Sequence, residues 1–114
     1  MNAVLLVEDE ALVRPATAEQ LDDLGCDVIE ASSAAEAISI LESRSDITLV
    51  FTDVNMPGMD GLALAAAVRK RWPPIRLLVT SALAVRDRVP EGAQFLPKPY
   101  QREGLERSFA ELLA

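Results

Sequence analysis

Residues 48–61 read Thr48-Leu49-Val50-Phe51-Thr52-Asp53-Val54-Asn55-Met56-Pro57-Gly58-Met59-Asp60-Gly61. The run from Thr48 to Phe51 is apolar and β-rich, which is how a strand buried in a sheet reads. It ends at Asp53, and a loop rich in Pro and Gly takes over. A carboxylate is thus stationed where a strand stops. Alone, Asp53 is read equally well as the opener of a turn, because Asp side chains bond the backbone just after them. In open α/β sheets, however, ligands and reacting groups collect beyond the carboxyl ends of the strands. What Asp53 does therefore depends on what the other strand ends bring beside it.

Working outward toward the C-terminus, Asp60 is placed to cap a helix over 61–72, with Leu64, Val68 and Trp72 recurring every fourth residue. Pro73-Pro74 ends that helix, and Trp72 reads as a core or helix-end anchor. Residues 75–80 form the next strand. Residues 81–92 are the weakest segment: a short helix over Ala82–Arg88 fits, and Pro90 and Gly92 break it. Residues 93–97 are the last strand. Lys98-Pro99 follows, then a final helix with Leu105, Phe109 and Leu112 inward.

Toward the N-terminus, Ala3-Val4-Leu5-Leu6-Val7 is wholly apolar, as suits a parallel strand covered on both faces. It runs into Glu8-Asp9-Glu10. A helix over 11–24 is predicted to bury Leu12, Val13, Ala16, Leu21 and Leu24 and to stop at Gly25, with Pro15 tolerated near its first turn. Asp27 to Ala31 alternates and reads as an edge strand. Ser33 and Glu36 have the spacing of a capping box. The helix they open turns Ala34, Ile38 and Leu41 to one face and ends near 43–45.

Strands and helices alternate along the whole chain, which calls for a parallel sheet with right-handed crossovers and helices on both faces. With 114 residues, half of them apolar, the chain suffices for one domain with a real core, expected over 1–114. No repeat or linker interrupts it. The net charge is −7, and histidine is absent. Such an acidic domain is not expected to bind nucleic acid or a membrane directly. Arg69-Lys70-Arg71 reads as a solvated helix end. Cys26 has no partner for a disulfide or a zinc site and reads as a half-buried small side chain. No apolar run has transmembrane length and no signal peptide is evident, so a cytoplasmic location is expected.

The strand ends bring together Glu8, Asp9, Asp53, Thr80, Ser81 and Lys98. Crowded carboxylates force one of their number to keep a proton unless a cation joins them. Oxygen ligands without histidine or a usable cysteine favour Mg²⁺, or Mn²⁺, over zinc. Lys98 adds a fixed positive charge, and the Thr80 hydroxyl can bond a phosphate oxygen. A carboxylate nucleophile, a divalent clamp, a hydroxyl and a lysine are the parts needed to make an aspartyl phosphate.

With VLLVEDE at the start, TDVNMPGMDG in the centre, VTSA after the fourth strand and FLPKPY after the fifth, the chain resembles the receiver domain of a two-component response regulator. The four motifs occur in order across nearly its whole length. The resemblance implies a flavodoxin-like, doubly wound sheet of five parallel strands in the order 2-1-3-4-5. It implies that Asp53 accepts phosphate from a histidine kinase or histidine phosphotransfer protein. Glu8, Asp9, Asp53 and the Asn55 backbone carbonyl would hold Mg²⁺. Thr80 would turn toward the phosphoryl group, and Lys98 would pair with it. Phe95 stands where the family has a switch aromatic, although a plain strand-face aromatic explains it too. The Lys98-Pro99 bond is expected to be cis. Signalling would leave through the surface made by the fourth crossover, the fifth strand and the last helix. No catalysis beyond self-phosphorylation and self-dephosphorylation is expected.

One departure stands out. Thr80 and Lys98 are closer in sequence than a full fourth helix allows, so that helix is expected to be short or irregular, ordered on phosphorylation or permanently irregular. Asn55 and Ala82 sit two residues past Asp53 and Thr80, where the family tunes phosphate lifetime. A phosphatase of the haloacid-dehalogenase kind would want a second acid where Asn55 stands. A phosphate-independent, receiver-like binding module is the other competitor. The positions of Met1 and of the last helix favour a free-standing regulator over a receiver cut from a hybrid histidine kinase.

Overall fold

β3 (Ile47–Asp53) runs through the middle of a five-stranded sheet whose order is β2-β1-β3-β4-β5, every neighbouring pair being parallel. The others are β1 (Ala3–Val7), β2 (Asp27–Ala31), β4 (Arg76–Ser81) and β5 (Gln94–Pro97). The crossovers hold α1 (Val13–Asp23), α2 (Ala34–Ser43), α3 (Gly61–Arg71) and, between β4 and β5, a 3₁₀ turn over Arg86–Arg88. The C-terminal helix α4 covers Arg102–Leu113. The structure is a computed structural model and describes residues 2–56, 58, 60–83 and 85–114. Met1, Pro57 and Met59 of the central loop, and Ala84 of the segment expected to form a short helix, lie outside the described residues.

Two apolar layers cover the sheet. On one face α1 and α4 meet the strands through Leu21, Leu105, Phe109 and Leu112, packed on Val4, Leu6, Leu49, Phe51 and Leu78. On the other, α2 and α3 bring Ala37, Leu41, Leu64, Ala65 and Val68 against Leu5, Val7, Val50, Leu77 and Val79. This explains why β1, β3 and β4 read as unbroken apolar runs: their side chains alternate between two dry layers. Each fully buried leucine or valine contributes about 1.5–3 kcal/mol relative to exposure.

The caps lie where the sequence signals them. The Ser33 hydroxyl accepts from the Glu36 N–H at 3.1 Å, and the Glu36 carboxylate accepts from the Ser32 N–H at 2.8 Å. Asp60 accepts from the Ala63 N–H at 2.8 Å and starts α3. Gly25 takes φ +86°, a left-handed geometry that ends α1.

Three expectations need correcting. Leu12 is 90% exposed and precedes α1, and Val13 is 37% exposed, so the apolar face of that helix begins later than its periodicity suggests. Leu12 is the N-cap residue, and its side chain falls outside the buried stripe. Cys26 is buried rather than half-buried, because the turn after α1 tucks it under α4's apolar layer. α3 stops at Arg71, and Trp72 forms its C-cap beneath the Arg71 guanidinium, 4.4 Å from the ring centroid. The fourth crossover, by contrast, is short and irregular as expected: among the described residues it holds the 3₁₀ turn. Among the described residues no helix is long and apolar enough to cross a membrane.

Candidate functional site

Register brings the polar strand ends together. Asp53, the last residue of β3, pairs directly with Thr80 of β4. Ser81 pairs with Pro97, so the next residue, Lys98, clears the sheet edge, and its N–H donates to the Ser81 carbonyl at 2.9 Å. β1 ends beside β3 with Val7 opposite Thr52, which delivers Glu8 and Asp9 to the same edge. The Glu8 N–H is fixed by the Ala31 carbonyl at 3.1 Å. Parallel strands all end on one side, so four sequence-distant segments need no special turn to meet.

Asp53 is only 8% exposed. Its Oδ2 accepts from Lys98 Nζ at 3.2 Å, and its Oδ1 accepts from the Asn55 N–H at 3.4 Å. Asn55 itself is exposed. Lys98 Nζ also lies 3.8 Å from Glu8 Oε1. Glu8 is 5% exposed, and its Oε2 accepts from the Glu10 N–H at 3.2 Å. One carboxylate oxygen from each of Glu8, Asp9 and Asp53 falls within 4.8 Å of the others. The Lys98–Pro99 peptide bond is cis.

The electrostatics of the cluster are unbalanced. Burial pushes the Glu8 carboxyl above its usual range, and the nearby Asp53 charge adds to this, against the opposing pull of the Glu10 N–H and Lys98. For Lys98, burial works against the charged form, but the Asp53 carboxylate and then Glu8 outweigh it and hold the ammonium firmly protonated. One cation thus faces three carboxylates. A divalent ion with oxygen preference is what this donor set can accept: the ligands are oxygen only, and two negative charges remain to be neutralised.

Thr80 is buried, and its Oγ1 donates to the Leu96 carbonyl at 2.7 Å, a bond from β4 to β5. Its hydroxyl therefore points along the sheet rather than into the carboxylate cluster. Ser81 Oγ accepts from the Leu83 N–H at 2.9 Å and helps turn the chain out of β4. Ala82, two residues past Thr80, is exposed. Phe95 is half-buried against the layer formed by α2 and α3, with the Arg86 guanidinium 5.3 Å from its ring centroid.

Three neighbours escaped the sequence reading. Gly61 sits so close behind Asp53 that a Cβ there would strike the Asp53 carbonyl, with the Asp53 carbonyl carbon at 2.7 Å and the Val54 Cα at 2.9 Å. Its N–H donates to the Val54 carbonyl at 3.0 Å and closes the loop. Thr52 Oγ1 donates to the Asp53 carbonyl at 3.0 Å. Tyr100 lines the same small cavity as Asp53, Thr80 and Lys98, and burial pushes its phenol above the ordinary range. The glycine directly after a capping Asp was the one available signal for close packing. Tyr100 was visible only as part of a motif.

Comparison with known proteins agrees on one family. The family model described as the response regulator receiver domain matches residues 4–110. The response regulator protein FleR of Pseudomonas aeruginosa is 37% identical over 107 residues, covering 90% of this chain and 22% of its own length. The sensor kinase CckA of Brucella abortus is 38% identical over 116 residues, covering 96% of this chain and 12% of its own. The solved receiver domain from a hybrid histidine kinase CckA superposes with a TM-score of 0.84 at 32% identity, covering 99% of this chain and 100% of that one. The chain thus spans less than a quarter of the length of these two curated relatives.

Proposed function

This chain belongs to the response regulator receiver domain family of two-component signalling, and on that footing we propose that Asp53 is its phosphoacceptor. The observation that supports this most directly is a nearly buried carboxylate at a strand end, held by an ammonium at 3.2 Å and flanked by two further acids. The donor would be a phosphohistidine on a histidine kinase or a histidine phosphotransfer protein. An Asp53 carboxylate oxygen attacks phosphorus, the P–O bond forms, and the P–N bond breaks. The donor imidazole departs with that electron pair and takes a proton from solvent. Mg²⁺ or Mn²⁺, held by Glu8, Asp9, Asp53 and the Asn55 backbone carbonyl, would offset the charge of the phosphoryl oxygens.

The chain's own residues do the rest. Gly61 and Thr52 fix the Asp53 backbone, so the attacking oxygen is presented in one orientation. Lys98 moves from the Asp53 carboxylate to a phosphoryl oxygen and remains paired. The Thr80 hydroxyl exchanges the Leu96 carbonyl for a phosphoryl oxygen, which removes a bond between β4 and β5. Phe95 lies one residue from that carbonyl, and Arg86 covers its ring, so the change is passed to the crossover after β4. That crossover, β5 and α4 form the surface read by an output partner. Phosphorylation and its reversal are carried out by the domain itself.

Intact mass spectrometry tests the reading. Wild-type protein incubated with Mg²⁺ and acetyl phosphate is expected to gain one phosphoryl group, which is lost by hydrolysis over time, while Asp53→Asn gains none. Absence of any gain in the wild type, with acetyl phosphate and with a histidine kinase of broad specificity, overturns it in favour of a phosphate-independent binding module.

A further inference from the structure

Lys98 has two places to go. On its inner side is a cavity of about 20 Å³ shared with Glu8, Asp53 and Thr80. On its outer side is an open groove of about 550 Å³ beside α1, edged by Leu12, Gln20 and Pro99. Val13, Thr17, Lys98 and Tyr100 line both. Tyr100 contributes the largest side chain to this partition, and its ring is tethered from beneath. It packs on Phe51 with centroids 6.3 Å apart, and Phe51 is in turn held edge-on by Phe109 of α4 at 5.9 Å. Phe51 and Asp53 share one face of β3, so the ring is braced against the very strand that presents Asp53.

We propose that Tyr100 is a positioning residue: its ring is the wall that keeps the Lys98 ammonium on Asp53 rather than in the groove. The reasoning is one of competing solvation. A lysine ammonium is a compact, strongly hydrated charge on a flexible stem, and its side chain here is already 30% exposed. With the ring gone, cavity and groove merge, and water in the groove competes for the ammonium. The 3.2 Å contact to Asp53 and the 3.8 Å contact to Glu8 are then both weakened.

The consequence has opposite signs for two measurable quantities. Lys98 sits on two of the carboxylates that would bind a divalent cation, so its departure relieves competition for them. It is also the group that would meet the incoming phosphoryl oxygens, so its departure slows transfer. This inference rests on the reading of Asp53 as phosphoacceptor.

The test uses the full chain as wild type, Tyr100→Ala and Tyr100→Phe. Mg²⁺ affinity is measured by titration calorimetry, and initial labelling rates with acetyl phosphate by mass spectrometry. Tyr100→Ala is expected to label about tenfold more slowly. It is expected to bind Mg²⁺ about two- to fivefold more tightly, the size of one released, partly exposed ion pair. Restoring a ring with Tyr100→Phe is expected to recover both. If Tyr100→Ala does not fold, Tyr100→Leu carries the same test, since it keeps an apolar cover on Phe51 but is too short to wall the lysine. Parallel weakening of labelling and Mg²⁺ binding, no change in either, or failure of phenylalanine to rescue overturns the proposal. A wild type that binds Mg²⁺ but takes no phosphoryl group counts instead against the reading of Asp53, and the Mg²⁺ affinities of the variants still decide the role of Tyr100.

Discussion

The crossover from β3 to β4 and the crossover from β4 to β5 pack on the same apolar layer, yet they hold to it with very different grips. The first contains α3, which buries Leu62, Leu64, Ala65 and Val68 and is capped by Asp60. The second contains a 3₁₀ turn with no buried residue of its own, anchored by Val85 before it and by half-buried Val89 after it. Its further ties, among the described residues, include half-buried Ala93, the Arg86 contact with Phe95 and short-range hydrogen bonds. A segment with few buried contacts opens or rearranges for little free energy, whereas one welded to the core moves only with it. The site uses both kinds. The rigid crossover fixes Asp53 through Gly61, and the lightly held one begins where Thr80 and Ser81 leave the sheet.

The largest effect should come from the rigid side. Gly61→Ala places a methyl group on the Asp53 carbonyl, where the neighbours are backbone and have no room to yield. It is expected to destabilise by about 4 kcal/mol or more, read from urea denaturation. A loss below about 1 kcal/mol would mean that the loop behind Asp53 is as pliable as the second crossover. Next in size is a matched pair. Val68→Ala and Val85→Ala delete the same atoms from the two crossovers, with expected losses of about 2 and about 1 kcal/mol respectively. The first site is enclosed by a helix that cannot settle into the gap, while the second lies in a segment free to relax. Equal losses would mean that the two crossovers grip the core alike.

The smallest effect concerns the edge where both crossovers meet. Glu8 has its pKa raised mainly by burial. A carboxyl raised in the folded state adds stability below its unfolded value, and that contribution is lost as pH climbs through the folded value. At neutral pH, without metal, the cost of ionising the buried Glu8 therefore weighs against folding. Glu8→Gln is expected to raise metal-free stability by about 1 kcal/mol at neutral pH, measured as Tm. The gain should vanish below the ordinary value of 4.5, where Glu8 is protonated in both states. A gain that grows on acidification would reverse the sign assigned to burial. Mg²⁺ should stabilise the wild type and do so less in the variant, which lacks one candidate ligand.

Local rules carried the sequence reading far. Ser33 with Glu36 and the lone Asp60 marked helix starts, because a cap involves only residues within one turn. Continuous apolar runs marked strands buried on both faces. The reading failed where periodicity was extended past the structure's actual boundary, as at Leu12, whose apolar character says nothing about the direction the chain takes before α1. It held for the segment after Ser81, where Pro90, Gly92 and the short span to the next strand signalled a crossover without a full helix, and the structure has a 3₁₀ turn there.

The order of residues alone dictates that this chain alternates strands with crossovers and that its acids, hydroxyls and lysine follow strands. From these facts a parallel sheet with one polar edge is nearly forced, since parallel strands all end on the same side. How those groups meet depends on packing and register. Register set Asp53 against Thr80, and packing sent the Thr80 hydroxyl to Leu96 and brought Lys98 to 3.2 Å from Asp53. The close approach of Gly61 and the bracing of Tyr100 on Phe51 belong to that second class. Each depends on groups far apart in the chain arriving at one point, and no local pattern of residues encodes the distance between them.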